Sequence, residues 1–228
     1  MSRAEAKGSD AVAAEKAWGG LVQGREERHR LKRRAILVAA ARTIRQKSYS
    51  EMTLADVADD LHISKPTLYY YFESKEQILF EIQRLAIAML NESGPLDGER
   101  DALAEGRASD RLARFIARYV KMITSDFGAC LIMTPRQVYE PQTRKRLIEA
   151  IRPTDTLVMR ILEEGVRQGE FRIPDLRLAT NFLFGTLNWF PFWYRASGRA
   201  NVEEIAAAAT NFVISALRQG ESQSPRTA

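Results

Sequence analysis

The sequence predicts an all-α chain, with an N-terminal helix-turn-helix unit of three helices ahead of a larger helical body. Three observations carry that expectation. Apolar residues recur at i, i+3 and i+4 in one segment after another, and no convincing run alternates with period two. Thr53, Ser64 and Ser74 stand as N-caps before helical segments.

The bulk numbers fit a folded chain. With 228 residues, 45% hydrophobic and 28% charged, it is long enough for a real core and too apolar to be disordered over most of its length. The lone Cys130 allows no intramolecular disulfide, which suits a reducing compartment. No apolar run reaches bilayer-spanning length and the N-terminus lacks the apolar stretch of a signal peptide, so no membrane association and a cytoplasmic location are expected. The net charge of +5 is concentrated. Arg25, Arg28, Arg30, Lys32, Arg33, Arg34, Arg42, Arg45 and Lys47 crowd one stretch, opposed there only by Glu26 and Glu27, as on a surface that meets phosphates.

Taken in order, residues 1–25 are rich in Ala, Gly, Ser and charge and are expected to form a flexible basic arm. From 26 to about 46, Leu31, Ile36, Leu37, Ala40 and Ile44 form the stripe of a first firm helix. Residues 53–61 make a short helix, with Thr53 as N-cap and Asp56 in the first turn, where its charge suits the helix dipole. His62-Ile63-Ser64 is the turn. Ser64 caps a second short helix over 65–72, where Pro66 lies in the first turn and gives up no needed hydrogen bond. Leu54, Val57, Ala58, Leu61, Ile63, Leu68 and Phe72 supply a small shared core. Ser74, with Gln77 three residues on, opens a longer helix striped by Ile78, Leu79, Ile82, Leu85, Ala86, Met89 and Leu90. A Gly-Pro pair within 91–98 ends it.

Beyond that connection, Leu112, Phe115, Ile116, Tyr119, Val120 and Ile123 form another stripe, followed by a turn at 126–128. Leu147, Ile148, Ile151, Leu157, Ile161, Leu162 and Val166 predict a long helix that Pro153 is expected to kink or divide. Segment 175–195 is apolar on nearly every side and is expected to be buried, while 202–217 carries Ile205, Ala206, Ala209, Phe212, Val213 and Leu217 along one side. The expected organisation is an arm over 1–25, a helix-turn-helix domain over 26–76, a ligand-binding and dimerisation domain over 77–218, and a disordered tail over 219–228.

Two short helices joined by a tight turn can place the second in the major groove of double-stranded DNA. Lys65 and Thr67 reach base edges or phosphates from its first turn. The consecutive Tyr69, Tyr70 and Tyr71 cannot all face inward, so at least one offers its hydroxyl to the DNA backbone. The runs Thr53-Leu54-Ala55-Asp56-Val57-Ala58 and Ile63-Ser64-Lys65-Pro66-Thr67-Leu68-Tyr69-Tyr70-Tyr71-Phe72, continuing through Lys75 to Leu79, resemble the signature of the TetR family of repressors. The stretch from Arg34 resembles that family's first helix. The resemblance implies that Thr53 meets a phosphate, that Lys65, Pro66 and Thr67 enter the groove, that Tyr69, Tyr70 and Tyr71 line backbone and bases, and that Lys75 binds phosphate; Ser64, the cap of that helix, is counted among the DNA-binding residues. It also implies a homodimer on a palindromic operator. His62 and Ser48 stand where the family has Gly, which raises the question of how those turns close.

The expected dimer surface comprises Leu183, Leu187, Phe190, Ile205 and Phe212, from the last two helices. Phe127, Met133, Tyr139, Phe184, Asn188, Trp189 and Trp193 are the candidate lining of a pocket for a small hydrophobic effector. The run Gly185-Thr186-Leu187-Asn188-Trp189 with Trp193-Tyr194-Arg195 and Gly198 resembles TetR-like regulators of fatty-acid and steroid degradation. That resemblance implies an acyl-CoA, with Arg136, Arg144 or Arg195 for its anionic parts. Repression against activation is left open, as is control of efflux by lipophilic drugs. Neither an enzyme, a metal site nor a cofactor is expected: the two histidines, His29 and His62, lie in no ligand spacing, and no Gly-rich phosphate loop occurs.

Overall fold

Capping residues divide the chain into its helices, much as their spacing suggests. The computed structural model describes residues 3–92 and 106–218, with side chains for 24–90 and 106–218. Its helices are α1 (Arg3–Lys47), α2 (Leu54–Asp60), α3 (Lys65–Tyr71), α4 (Lys75–Glu92), α5 (Ala108–Thr124), α6 (Asp126–Met133), α7 (Pro141–Arg167), α8 (Leu176–Asn188), α9 (Phe190–Trp193) and α10 (Val202–Arg218), with a 3-10 turn at Arg136–Val138. No strand occurs among the described residues. The tail over 219–228 and the connection over 93–105 lie outside them.

The backbone of α1 is helical from Arg3, through the segment expected to be a flexible arm. Ala, Glu, Lys and Arg are good helix formers, and their propensity carries the helix back past the point where the apolar stripe begins. The N-terminal core is that of the expected three-helix unit, closed by α4. Ile36, Leu37, Ala40 and Ile44 from α1 meet Val57, Ala58, Leu68 and Phe72, and Ile78, Leu79 and Ile82 complete it.

In the larger body α5 is central. It buries Leu112, Phe115, Ile116, Val120 and Ile123, and α10 lies along it. Its N-terminus is capped from outside by Glu170, which accepts hydrogen bonds from the Ala108 amide at 2.7 Å and the Ser109 hydroxyl at 2.6 Å. Burial works against ionisation of the Glu170 carboxyl, but these donors together with Arg107 outweigh it and hold the group below the usual carboxylate range. α6 packs on α1, α4 and α5 and so joins the two units. It starts tightly, because a Cβ on Gly128 would fall 1.9 Å from the carbonyl oxygen of Met122.

Two expectations are corrected. Pro153 does not divide the long helix, since α7 runs unbroken through it. Pro153 and Glu149 both lie on the exposed side, where the carbonyl freed by the missing N–H remains in water. Segment 175–195 is not enclosed: it breaks into α8 and α9, and Leu178, Phe182, Trp189, Phe192 and Trp193 are exposed.

Candidate nucleic-acid interface and ligand cavity

Thr53 and Asp56 close a reciprocal capping box. The Asp56 amide donates to Thr53 Oγ1 at 3.2 Å, and the Thr53 amide donates to Asp56 Oδ2 at 2.8 Å. Lys47 adds a bridge to Asp56 at 2.9 Å. The Lys47 hydrogen bond first, then the Thr53 donors, pull the Asp56 carboxyl from 3.8 down to about 2. Ser64 caps α3, accepting from the Thr67 amide at 3.3 Å and sharing a hydroxyl contact with Thr67 at 2.8 Å.

The turns that lack the family's glycines close with positive φ, at +53° for His62 and +77° for Ser48. Both residues therefore adopt the left-handed conformation that glycine reaches without strain.

Leu68 is the buried anchor of α3, and Ser64, Lys65, Pro66, Thr67, Tyr69 and Tyr70 are exposed around it, Tyr70 at 74%. Tyr71 turns inward by comparison: its ring lies 4.9 Å from that of His29, and its carbonyl accepts from Arg33 Nη1 at 2.5 Å. Lys75 is fixed rather than free. Its ammonium stands 4.3 Å over the Tyr49 ring and donates to the Ser50 carbonyl at 3.4 Å, and burial lowers its pKa. The hydroxyl of Tyr49 donates to Glu76, and burial first, with that carboxylate second, pushes it up to about 12.

The basic stretch of α1 proves mixed. Arg33 spans Tyr71, Glu81 at 3.3 Å and the Phe72 ring at 4.1 Å, while Arg42 and Arg45 turn to Asp126 at 3.1 Å and 3.4 Å. These cations brace the fold, and Lys47 serves the α2 cap.

The larger body contains a cavity of about 850 Å³ bounded by α4, α5, α7 and α8. Of the expected lining, Tyr139, Phe184, Asn188 and Trp189 border it. Phe127, Met133 and Trp193 do not. Phe127 is buried in the core beneath the Arg34 guanidinium, Met133 lines a separate cavity of about 500 Å³, and Trp193 packs edge-on against Phe190. Arg136 and Arg144 reach the larger cavity, and Arg195 belongs to the smaller one.

Gln83, Ile87, Tyr119, Asp155 and Arg177 also border the larger cavity and were not singled out by sequence. The Tyr119 hydroxyl donates to Asn188 Oδ1 at 2.7 Å. Burial raises the pKa of the Asp155 carboxyl, and Arg136 opposes that rise. Gln83 is 2% exposed, and its Nε2 has no hydrogen-bond partner. One sequence signal marks it: Gln83 lies four residues from both Leu79 and Ile87, a polar group set into an apolar stripe.

The expected dimer residues divide by burial. Leu183, Leu187 and Ile205 face this chain's own core, Phe190 is half-buried, and Phe212 is exposed. A groove of about 390 Å³ between α8 and α10 is lined by Leu178, Phe182 and Phe212 among others. No group of His, Cys, Asp and Glu suited to a metal ion occurs among the described residues, and no helix among them is long and apolar enough to cross a membrane.

Comparisons with known proteins agree with this geometry. Residues 36–82 match the family described as bacterial regulatory proteins, tetR family, and residues 105–217 match the tetracyclin repressor-like C-terminal domain. The HTH-type transcriptional repressor KstR2 of Rhodococcus jostii (strain RHA1) is 28% identical over 191 residues, 82% of this chain and 91% of that protein. The crystal structure of PfmR, a TetR family transcriptional regulator from Thermus thermophilus, is 30% identical with a TM-score of 0.68, covering 79% of this chain and 97% of that one. AibR, in complex with isovaleryl coenzyme A and operator DNA, shares the fold at a TM-score of 0.67 and 20% identity, over 79% of this chain and 96% of that one. The chain therefore belongs to the TetR family and is a DNA-binding regulator of transcription, not an enzyme.

Proposed function

We propose that the protein is a homodimeric repressor, released from a palindromic operator when an acyl-CoA or a related lipophilic acid enters the cavity of about 850 Å³. The observation that carries this reading is the position of α4. Gln83, Ile87 and Leu90 of α4 border the cavity, and only Phe72, Glu73 and Ser74 separate that helix from α3. A ligand that prefers one placement of α4 thereby sets the spacing of the two reading heads, provided that it binds the released arrangement more tightly.

The lining suits an amphipathic anion. Ile87, Leu90, Leu147, Ile148 and Phe184 accept an acyl chain, and Arg136, Arg144 and Arg177 stand ready for carboxylate or phosphate. AibR, which shares this fold, is known with isovaleryl coenzyme A and operator DNA together. On the DNA side, Lys65 and Thr67 read bases, the tyrosines Tyr69 and Tyr70 contact sugar and phosphate, and Thr53, Ser64 and Lys75 hold the backbone. Tyr71 then acts mainly by packing. The exposed Phe182, at 71%, and Phe212, at 64%, form the centre of the dimer face with Leu178, in place of the buried Leu183, Leu187 and Ile205.

The test is footprinting on DNA upstream of the protein's own gene, followed by titration of the bound dimer with acyl-CoAs of graded chain length. The expected outcome is a protected palindrome that acyl-CoA clears, with a matching rise in Tm of the free protein. Association indifferent to sequence overturns the operator reading. Stabilisation by lipophilic drugs and not by acyl-CoAs overturns the effector.

A further inference from the structure

The lining of the larger cavity is graded by exposure. Arg136, Arg144, Arg177, Asn181 and Trp189 are exposed and form its mouth, whereas Gln83, Tyr119 and Thr134 are buried at its closed end. A ligand whose anionic part stays with the arginines therefore turns the far end of its acyl group towards the closed end. We propose that Gln83 and Tyr139 are specificity-determining residues there, and that they select an effector whose acyl group carries an acceptor oxygen, a hydroxyl or a ketone, remote from its anionic part. This rests on the reading of the larger cavity as the effector site.

Most polar groups at the closed end are engaged within the chain. The Tyr119 hydroxyl donates to Asn188 Oδ1 at 2.7 Å, and the Thr134 hydroxyl lies 3.7 Å from Cys130 Sγ. Gln83 Nε2 and the Tyr139 hydroxyl are buried with no hydrogen-bond partner. They come from separate elements, Gln83 from α4 and Tyr139 from the stretch that links the 3-10 turn to α7, yet both border this one cavity. Both can donate. A hydrocarbon end offers them nothing, whereas one carbonyl or hydroxyl oxygen has two acceptor lone pairs, enough for both donors. In a pocket otherwise lined there by Ile87, Leu90 and Met122, an oxygen without such donors would cost affinity, because it gives up its water unpaired.

The two donors are closed off from solvent in the empty protein, so the contact forms only once the wall gives way. Gln83 belongs to α4, the helix that leads to the reading head. An oxygen that draws on Gln83 therefore favours a shifted α4 over the resting one, and such a difference in affinity is what a ligand needs in order to move the equilibrium.

Calorimetric titration of the full chain with plain acyl-CoAs of graded chain length, and with their ω-hydroxy and methyl-ketone counterparts, tests the proposal. At the chain length that reaches the closed end, an oxygenated form should bind about tenfold more tightly than the plain form. Tyr139→Phe, which removes a single oxygen, and Gln83→Met should each cut that preference about three- to tenfold. Because the preference is a ratio within one protein, a general loss of binding leaves it unaltered. No preference for either oxygenated series at any chain length, or a preference that either variant retains in full, overturns the selection, and binding of the plain series then leaves the larger cavity's reading standing. Binding of no series overturns both.

Discussion

Replacing Gln83 by methionine should stabilise the empty protein and blunt its response to ligand. Gln83 is 2% exposed and its Nε2 has no partner, so the folded state retains a desolvated amide that water would satisfy in the unfolded chain. Such an orphan costs about 1–3 kcal/mol. Methionine has nearly the same length and volume, and volume-conserving exchanges in a core cost less than about 1.5 kcal/mol. The balance favours Gln83→Met by roughly 1–2 kcal/mol, a Tm rise of about 3–6 °C for a chain of this size. The opposite should hold with ligand present. Gln83 borders the cavity, so a ligand that shifts α4 can bring a carbonyl to that amide, and its loss should then weaken acyl-CoA binding about two- to tenfold. Thermal denaturation with and without an acyl-CoA reads both effects. A lower Tm for Gln83→Met refutes the orphan argument, and a higher Tm with an unaltered ligand shift refutes the role in binding.

Lys65→Ala should weaken operator binding by fluorescence anisotropy about tenfold or more in a dimer, with Tm unaltered because Lys65 is exposed; unchanged affinity would remove α3 from the reading surface. Phe182→Glu combined with Phe212→Glu should yield a folded monomer in sedimentation velocity, and a persistent dimer would place the interface elsewhere. His62→Gly should raise Tm, since relief of a left-handed non-glycine residue, about 1–2 kcal/mol, exceeds the extra chain entropy of glycine, about 0.5–1 kcal/mol. Asp56 titrates near 2 in the fold against 3.8, so its stabilising contribution is complete above about pH 4 and fades as pH falls towards 2. Asp56→Asn should therefore flatten the acid-unfolding curve in that window, as followed by circular dichroism.

The helix-turn-helix was legible because its determinants are local. Thr53 and Ser64 cap the next residues along the chain, Leu68 lies one side of a short helix from Tyr69 and Tyr70, and positive φ at Ser48 and His62 follows from turn geometry alone. The cavity was less so. Its lining comes from helices far apart in sequence, and aromatic content does not tell a wall residue such as Phe184 from a core residue such as Phe127. Charge proved ambiguous in the same way. Nine basic residues over 25–47 suggest one phosphate surface, yet Arg33, Arg42 and Arg45 are directed by partners 48 to 84 positions away, Glu81 and Asp126. Nothing in the local pattern separates a cation that meets DNA from one that holds two units together.

The proposed dimer face shows where helical phase needs tertiary information. On α8, Thr180, Leu183 and Leu187 are buried while Leu178 and Phe182 are exposed. Both sets follow helical spacing, and neighbours such as Phe182 and Leu183 point about 100° apart. An amphipathic helix has one apolar stripe, so its phase can be read from composition. A helix with two apolar stripes serves two cores, one within the chain and one beyond it, and sequence alone does not say which is which. The packing of α8 against α5 and α7 decides it by consuming the Leu183 stripe. The same logic assigns α10, where Ile205, Ala209 and Val213 are consumed and Phe212 is left. The proposed interface is the apolar stripe that the monomer fails to use, and Phe182 and Phe212 meet that criterion where Leu183, Leu187 and Ile205 do not.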